Sequence, residues 1–186
     1  MGAHGSVERE GALAYLRQYH YLGCNRPAFA LPGPGRRATG CGRASGGCCG
    51  VAVCAAGSGY IGWSATERVA GLHRIGNHSR FLILPWVRVP HLASHLLGGL
   101  VQRICADWPQ QHGWELELLE TFVETGRFRG VAYRAANWQE VGQTTGRTRQ
   151  EKQHRAQAPR KSVWVHPLGQ RFREHLGALG SGGGAS

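Results

Sequence analysis

The chain has 186 residues, and its 22 lysines and arginines against 11 aspartates and glutamates give a formal charge of +11. This length predicts a single domain that buries its own core. The charge favours a polyanionic partner, with nucleic acid ahead of a membrane surface, although codon bias in a GC-rich genome is an alternative explanation. No apolar run approaches the roughly 20 residues that cross a bilayer, and the first residues lack the apolar core of a signal peptide. We therefore expect a cytoplasmic protein with no membrane segment.

The amino-terminal third of the chain carries little periodic pattern. Residues 1–10 resemble a flexible leader, and residues 11–21 predict a short helix. Residues 24–59 are rich in Gly, Pro, Arg and Cys, which predicts irregular structure with one strand at residues 50–56. Five of the six cysteines fall in this stretch without a CxxC pair or a CxxC…HxxxH spacing, so we predict reduced thiols and assign no metal ligands. A zinc site is the weaker alternative.

The middle of the chain has a clear order of apolar segments. Residues 60–64 predict a short aromatic strand, and residues 65–75 predict a helix. The apolar run at residues 80–87 predicts a strand buried on both faces, with Pro85 marking a bulge or an edge. Residues 90–108 predict the next helix. Its apolar positions recur at helical spacing: Leu97, Val101, Ile104 and Trp108.

A carboxylate interrupts the alternating strand predicted at residues 114–123. Glu120 stands where the alternation requires an apolar side chain, and a buried carboxylate needs a cationic or hydrogen-bonding partner or has a raised pKa. Glu120 is therefore a candidate general base. The alternative is structural: Glu120 would lie at the solvated end of the strand and pair with Arg80, Arg127 or Arg129.

A further helix is predicted at residues 128–138, where Tyr133 and Asn137 are spaced to place polar groups on one face. Residues 139–144 predict the strand that follows. The order strand, helix, strand, helix, strand predicts a mixed α/β fold rather than a helical bundle.

The chain becomes strongly basic after this strand. Arg147, Arg149 and Lys152 lie among Gly and Thr, which suits a loop that holds phosphates with guanidinium groups and backbone N–H donors. A solvated basic tail is the alternative. Residues 163–168 then predict a last strand, and residues 170–179 predict a closing helix.

These elements together predict an α/β (α+β) fold, in which a mixed β-sheet is flanked by helices. We expect a single domain over residues 11–179. Residues 180–186 are Gly and Ser with one Ala, which is typical of a flexible linker or tag.

Six segments of the sequence form an unusual set. They are YHYLG at 19–23, YIGW at 60–63, NHSRFLILPWVRVPHLASHLL at 77–97, DW at 107–108, LLETFVETGRFRGVAYRAANW at 118–138 and VGQTTGRTR at 141–149. Together they resemble the DruA-like family, which is named for the first protein of the Druantia anti-phage system and also occurs near transposable elements. The resemblance implies a DNA-acting component of bacterial defence or of a mobile element, with other proteins of that system as partners. Residues 24–59 depart from the family pattern.

A second resemblance concerns the fold. The element order from residue 80 to residue 142, and the segment YRAANW at 133–138 followed by Val and Gly, are similar to the GNAT superfamily of acetyltransferases. This resemblance implies that Tyr133 acts as a general acid. It also implies that a phosphate of coenzyme A binds at Ala93 and Ser94, at the amino terminus of a helix. A phosphate of DNA could occupy the same place.

Two sets of site residues follow from these resemblances and from the residue types. The expected catalytic residues are Glu120, Tyr133, His95 and Asn137. The expected nucleic-acid-binding residues are arginines and a lysine for phosphates and tryptophans for unstacked bases: Arg80, Arg147, Arg149, Lys152, Trp63, Trp86 and Trp138. The leading hypothesis is DNA binding with possible chemistry on the DNA. The alternatives are an acyltransferase that uses acetyl-coenzyme A to modify a base or a protein amine, and a non-catalytic DNA-binding accessory.

Overall fold

The computed structural model describes residues 14, 17–20, 29–32, 38–44, 59–144 and 159–177, with backbone alone for 29–32 and 38–44. The strands in this part are β1 (Phe29–Pro32), β2 (Ala38–Ala44), β3 (Ile75–Ile83), β4 (Leu118–Glu124), β5 (Gln139–Gln143) and β6 (Lys161–Pro167). The helices are α1 (Ala65–Gly71), α2 (Leu92–His112), α3 (Val131–Ala135) and α4 (Phe172–His175), with a 3-10 turn at Leu72–Arg74. None of the helices within these ranges is long and apolar enough to cross a membrane.

The strands form one mixed sheet in the order β1-β2-β3-β4-β6-β5. β3 and β4 are parallel, because α2 connects them as a crossover, whereas the other neighbouring strands are antiparallel. β6 lies between β4 and β5, although it follows both in the chain. The predicted mixed α/β class is therefore confirmed.

The contact between β3 and β4 is short. Only Ile75–Asn77 pairs with Leu118–Glu120, after which β3 continues along β2 and β4 continues along β6. Thr121 Oγ1 donates a hydrogen bond to the backbone carbonyl of His78 at 2.7 Å, just beyond the last pair. The backbone ladder between the two parallel strands thus stops well before their carboxyl ends.

Two buried clusters cover opposite faces of the sheet. Leu119 and Val123 belong to the first cluster and Leu118 to the second, because side chains alternate along β4. The α2 face, on the side of α2 and α3, consists of Leu97, Ile104, Trp108, Leu116, Leu119, Val123, Tyr133, Trp138 and Trp164. The α4 face, on the other side, consists of Ile61, Trp63, Ile75, Leu118, Val165, Phe172 and Leu176.

Helix α2 follows the predicted apolar stripe. Leu97, Ile104 and Trp108 are buried and Val101 packs beside them, so one stripe of the helix faces the sheet. The helix ends at Gly113, whose φ of 79° allows its N–H to donate to Pro109 O at 2.8 Å. It starts at Leu92, two residues inside the predicted bounds of 90–108, and ends at His112, four residues beyond them.

The strand predicted at residues 80–87 is wrong at both ends. β3 begins at Ile75 and ends at Ile83, and residues 84–87 form a turn closed by Val87 N donating to Leu84 O at 2.9 Å. Its second half is only partly buried. The apolar run was a misleading signal, because the buried half of the strand contains polar residues and Pro85 ends the strand rather than bulging it.

The aromatic strand predicted at residues 60–64 is also wrong, since residues 59–61 are helical. Ser64 instead caps α1 in a reciprocal capping box: its Oγ accepts from Glu67 N at 3.3 Å, and its own N–H donates to Glu67 Oε2 at 2.9 Å. Helix α1 then ends at Gly71, short of the predicted residue 75.

Two further expectations need correction. β1 and β2 lie within residues 24–59, which were predicted to be irregular apart from residues 50–56. Residues 1–10, 50–56 and 180–186 lie outside the described ranges.

The helix predicted at residues 128–138 is shorter and consists of α3 alone. Gly130 and Asn137 on either side of it have φ values of 68° and 62°, which an α-helix does not accept.

Candidate functional site

The parallel strands β3 and β4 end at the same edge of the sheet, and ligands of open α/β sheets commonly bind outside such ends. Residues 84–91 follow β3 at this edge, and residues 125–130 follow β4. β6 begins there as well, because Lys161 is paired with Glu124 at the end of β4. We call residues 84–91, 125–134 and 160–161 the carboxyl edge.

The loop between β4 and α3 presents Arg127, Phe128 and Arg129, all of which are exposed. Its backbone is fixed, because Arg127 N and Phe128 N donate to Glu124 O at 3.1 and 2.9 Å. Thr125 N donates to the carbonyl of Arg160 at 3.1 Å, which joins the loop to the strand beside it. The exposed side chains therefore project from a loop with a defined backbone.

The loop between β3 and α2 presents Trp86, Arg88 and Val89. The Trp86 side chain is 54% exposed, and its ring makes an edge contact with Tyr19 at a centroid distance of 5.2 Å. The loop enters α2 through His91, whose φ of 57° turns the chain sharply into the helix. This loop thus adds a half-exposed indole and a further exposed guanidinium to the edge.

Exposed apolar side chains are concentrated at this edge. Among the residues whose side chains the structure describes, seven large hydrophobic residues are exposed, and four of them belong to the carboxyl edge: Trp86, Val89, Phe128 and Val131. The exposed arginines of the same edge are Arg88, Arg127, Arg129, Arg134 and Arg160. Guanidinium groups interleaved with aromatic rings are typical of nucleic-acid-binding surfaces.

The basic segment after β5 leaves from the same place. Thr144 N donates to Lys161 O at 2.8 Å, and Lys161 N donates to Thr144 Oγ1 at 3.1 Å, so the two described ends of the segment are side by side. The predicted phosphate ligands Arg147, Arg149 and Lys152 lie outside the described ranges. They belong to a segment that starts and ends at the carboxyl edge.

The three predicted stacking tryptophans lie in different environments. Trp86 is exposed, whereas Trp63 belongs to the α4 face and donates its indole N–H to Leu176 O at 2.8 Å. Trp138 is buried on the α2 face. Trp63 and Trp138 therefore have no ring face available to a base, and Trp86 alone of the three can stack on one.

Glu120 is buried in the middle of the sheet, as its place in the alternation predicted, with 3% of its surface exposed. The alternative of a solvated strand end is therefore wrong. Its Oε1 lies 3.4 Å from Asn77 Nδ2 across the β3–β4 pair. Glu120 shares its side of β4 with Leu118 and the α4 face, whereas Tyr133 belongs to the α2 face. The sheet separates these two predicted catalytic residues.

Tyr133 contacts a histidine that the sequence did not single out. Its hydroxyl lies 3.2 Å from His78 Nδ1, and the rings of Phe81 and Trp138 surround the same imidazole. Burial lowers the pKa of His78 to about 4, so His78 is neutral at pH 7. The sequence signal was weak, because His78 precedes the apolar run that defined the predicted strand.

The remaining predicted residues are dispersed. Asn137 is exposed beyond the end of α3 and does not share a face with Tyr133. His95 is exposed in the first turn of α2. Ser94 in the same turn donates its hydroxyl hydrogen to His91 O at 3.0 Å, and Ala93 precedes it. Arg80 lies within β3 and donates to the carbonyl of Ser79 at 2.8 Å.

We expect His78 to make stability depend on pH. The folded chain holds His78 neutral, whereas the unfolded chain takes up a proton near the ordinary pKa of 6.5, so acid favours unfolding. Between pH 7.5 and pH 5 the free energy of unfolding should fall by about 2 kcal/mol more in the wild type than in His78→Gln. Urea unfolding at both pH values measures this difference.

The comparison isolates His78, because His20 and His166, whose pKa values are also lowered, titrate in both proteins. An identical loss of stability on acidification in the wild type and in His78→Gln would contradict the expectation.

These features define a mixed α/β protein with one basic, aromatic edge beside a short parallel strand pair. The chain belongs to the DruA family: the model of the family described as Druantia protein DruA matches residues 51–154, more than half of the chain. This membership implies a role in a Druantia anti-phage defence system. No curated protein matches the chain.

Proposed function

We propose that this protein is the component of its defence system that binds DNA, and that it does so through the carboxyl edge. The observation that carries the proposal is the joint exposure of arginines and aromatic rings there: Arg88, Arg129, Trp86 and Phe128. Under this proposal the protein works in the cytoplasm, where bacterial DNA is found, together with other proteins of the system.

The charge of the edge supports contact with phosphates. Among the residues that the structure describes, two carboxylates near the exposed arginines are paired: Glu124 with Arg127 at 3.1 Å, and Glu140 with Arg134 at 4.0 Å. The other guanidinium groups of the edge make it positively charged, and the whole chain carries a formal charge of +11. Such a surface attracts a polyanion and releases its condensed counterions on binding.

Binding is better supported than chemistry on the DNA. Glu120 and Tyr133 lie on opposite faces of the sheet, and both are buried. A base and an acid that act on one substrate must reach the same reacting group. The proposal therefore corresponds to a DNA-binding accessory, and modification of DNA would require groups other than this pair.

The test removes the charges of two exposed arginines of the edge, Arg88 and Arg129. We expect the double variant Arg88→Gln, Arg129→Gln to bind a DNA oligonucleotide about tenfold more weakly. The slope of the logarithm of the binding constant against the logarithm of the salt concentration should become shallower by about one for each arginine removed. Fluorescence anisotropy at several salt concentrations measures both quantities. The expected loss is purely electrostatic, so it should diminish as salt is raised.

The matched control removes the same charge elsewhere. Arg103 and Arg171 are exposed and lie away from the carboxyl edge, so Arg103→Gln with Arg171→Gln should change DNA affinity less than twofold at the same net charge. Equal losses in the two double variants would mean that overall charge, and not this edge, attracts the DNA.

The second candidate function is transfer of an acyl group from coenzyme A. Two features favour it. The pairing of β3 with β4 stops after three residues, before either strand ends. The amino terminus of α2 lies at the same edge, and a helix amino terminus attracts a phosphate. The residues fit poorly: Ser94 already donates to His91 O, and the sheet separates Glu120 from Tyr133. We therefore derive no transfer step.

Isothermal titration with acetyl-coenzyme A decides this second candidate. Saturable heat that is lost when a bulky residue replaces Ala93 would support it. No heat at millimolar ligand would remove it and leave the binding proposal intact.

A further inference from the structure

The two half-exposed rings at the carboxyl edge have no role in the core. Trp86 is 54% exposed and Phe128 is 52% exposed, and neither belongs to a buried cluster. Single exposed hydrophobic residues are common on protein surfaces and need no explanation. Here, however, Phe128 lies between two exposed arginines in the chain, and a single residue separates Trp86 from the exposed Arg88. The two loops that carry the rings follow β3 and β4 at one edge of the sheet.

The backbone that carries each ring is held in place before any ligand arrives. Trp86 follows Pro85 in a turn closed by the hydrogen bond from Val87 N to Leu84 O, and its ring contacts the ring of Tyr19. The backbone at Phe128 is positioned by the hydrogen bond from its own N–H to Glu124 O. A ring on an ordered backbone has only its side-chain rotation to lose when a ligand stacks on it, so the entropy cost of binding is reduced.

The chemistry of the two rings distinguishes between forms of DNA. In a duplex the faces of the bases are stacked on one another, and a protein surface meets mainly phosphates, sugars and groove edges. In a single strand the base faces are free, and stacking on an aromatic side chain contributes about 1–3 kcal/mol per base. Arginines alone would be sufficient for duplex phosphates, whereas rings beside arginines fit an unpaired strand.

We propose that the carboxyl edge binds single-stranded DNA, with bases stacked on Trp86 and Phe128 and phosphates held by Arg88 and Arg129. This inference rests on the proposed function and adds the form of DNA that the edge selects. Stacking is tolerant of sequence, because every base has an aromatic face. The binding should therefore depend on strandedness rather than on a particular sequence.

The test compares an oligo(dT) strand with a hairpin duplex of equal phosphate number. We expect the wild type to bind the single strand at least tenfold more tightly, and Trp86→Leu and Phe128→Leu each to weaken single-strand binding about tenfold. Both substitutions should leave duplex affinity within twofold. Oligo(dT) should also quench tryptophan fluorescence in the wild type and much less in Trp86→Leu.

The control is Trp114→Leu, which removes a partly exposed indole near the other edge of the sheet, where Trp114 Nε1 donates to His73 O at 3.2 Å. It should leave both affinities unchanged. Unfolding curves for all three variants would show that lost binding does not reflect lost structure.

Each other outcome has a separate meaning. Equal affinity of the wild type for the two DNA forms, or equal effects of the ring variants on both, would overturn this inference and leave DNA binding standing. No binding of either form would overturn the proposed function itself. If the ring variants instead lost only contact with a protein of the same defence system or with anionic vesicles, the rings would belong to a different kind of interface and the inference would fall.

Discussion

Gly130→Ala is expected to lower the free energy of unfolding by about 3 kcal/mol, combining overpacking with a left-handed backbone conformation. Gly130 has a φ of 68°, and an added Cβ would lie against the indole of Trp164, with Cε2 at 2.6 Å. Trp164 cannot move aside easily, because it is 1% exposed and donates its indole N–H to Ser162 Oγ at 2.8 Å. Urea unfolding monitored by circular dichroism measures the loss.

The same loop provides the control for this substitution. Gly126 has no heavy atom within 4 Å of a Cβ added to it, so Gly126→Ala should change stability by less than about 0.5 kcal/mol. Similar stabilities for the two variants would contradict the argument. Because Gly130 also begins α3 and ends the loop that carries Phe128, its substitution should weaken DNA binding as well.

Arg74→Met should also cost about 3 kcal/mol, because it leaves a buried carboxylate without its main cation. Glu117 is 5% exposed, and its Oε1 lies 3.6 Å from an Arg74 guanidinium nitrogen. Arg74 additionally donates to His175 O at 2.7 Å, while His175 Nδ1 lies 3.0 Å from Glu117 Oε2. These contacts join the start of β4 to α4. Methionine keeps much of the apolar stem, so the loss should be mainly electrostatic.

The ion pair of Arg103 with Asp107 is the matched control. Its N–O distance of 3.0 Å is shorter than that of the Arg74 pair, but both of its side chains are well exposed. Arg103→Met should therefore cost less than about 1 kcal/mol. Adding Glu117→Gln to Arg74→Met should recover at least half of the lost stability, because the buried group is then neutral. No recovery would mean that Arg74 acts through packing alone.

The elements most predictable from the sequence are those whose pattern is local. The stripe of α2 survives in the fold, because a helix on one face of a sheet keeps its 3.6-residue period regardless of what the partner strands contain. The burial of Glu120 was predictable for a similar reason, since apolar residues surround it in an alternating strand. β5 and β6 were also close to their predicted places, apart from their exact bounds.

β3 was less predictable, because the residues that contact its polar side chains come from distant parts of the chain. Asn77 and His78 look like a polar joint, yet Glu120 and Tyr133, which follow more than 40 residues later, give them polar partners. β2 has no alternating pattern at all and joins β3 through backbone pairing. Neither contacts between distant side chains nor backbone pairing produces a periodic pattern in a short stretch of sequence.

The environment of the site residues also depends on contacts between distant parts of the chain. Trp63 and Trp86 both stand in short aromatic segments, and sequence alone gave them the same expected role. Leu176, 113 residues away, accepts the hydrogen bond that fixes Trp63 in the core, whereas Trp86 contacts Tyr19 at the surface. Which tryptophan can meet a base is thus decided by a distant segment.

The position of β6 also determines when this sheet can be completed. β6 is the last of the described strands to be synthesised, yet it lies between β4 and β5 and contains Val163, Trp164 and Val165, which are at most 1% exposed. Until it leaves the ribosome, residues 139–143 have no neighbouring strand, and β4 has one open edge. A nascent chain that stalled before residue 161 would therefore expose two strand edges prone to aggregation rather than form a slightly shorter protein.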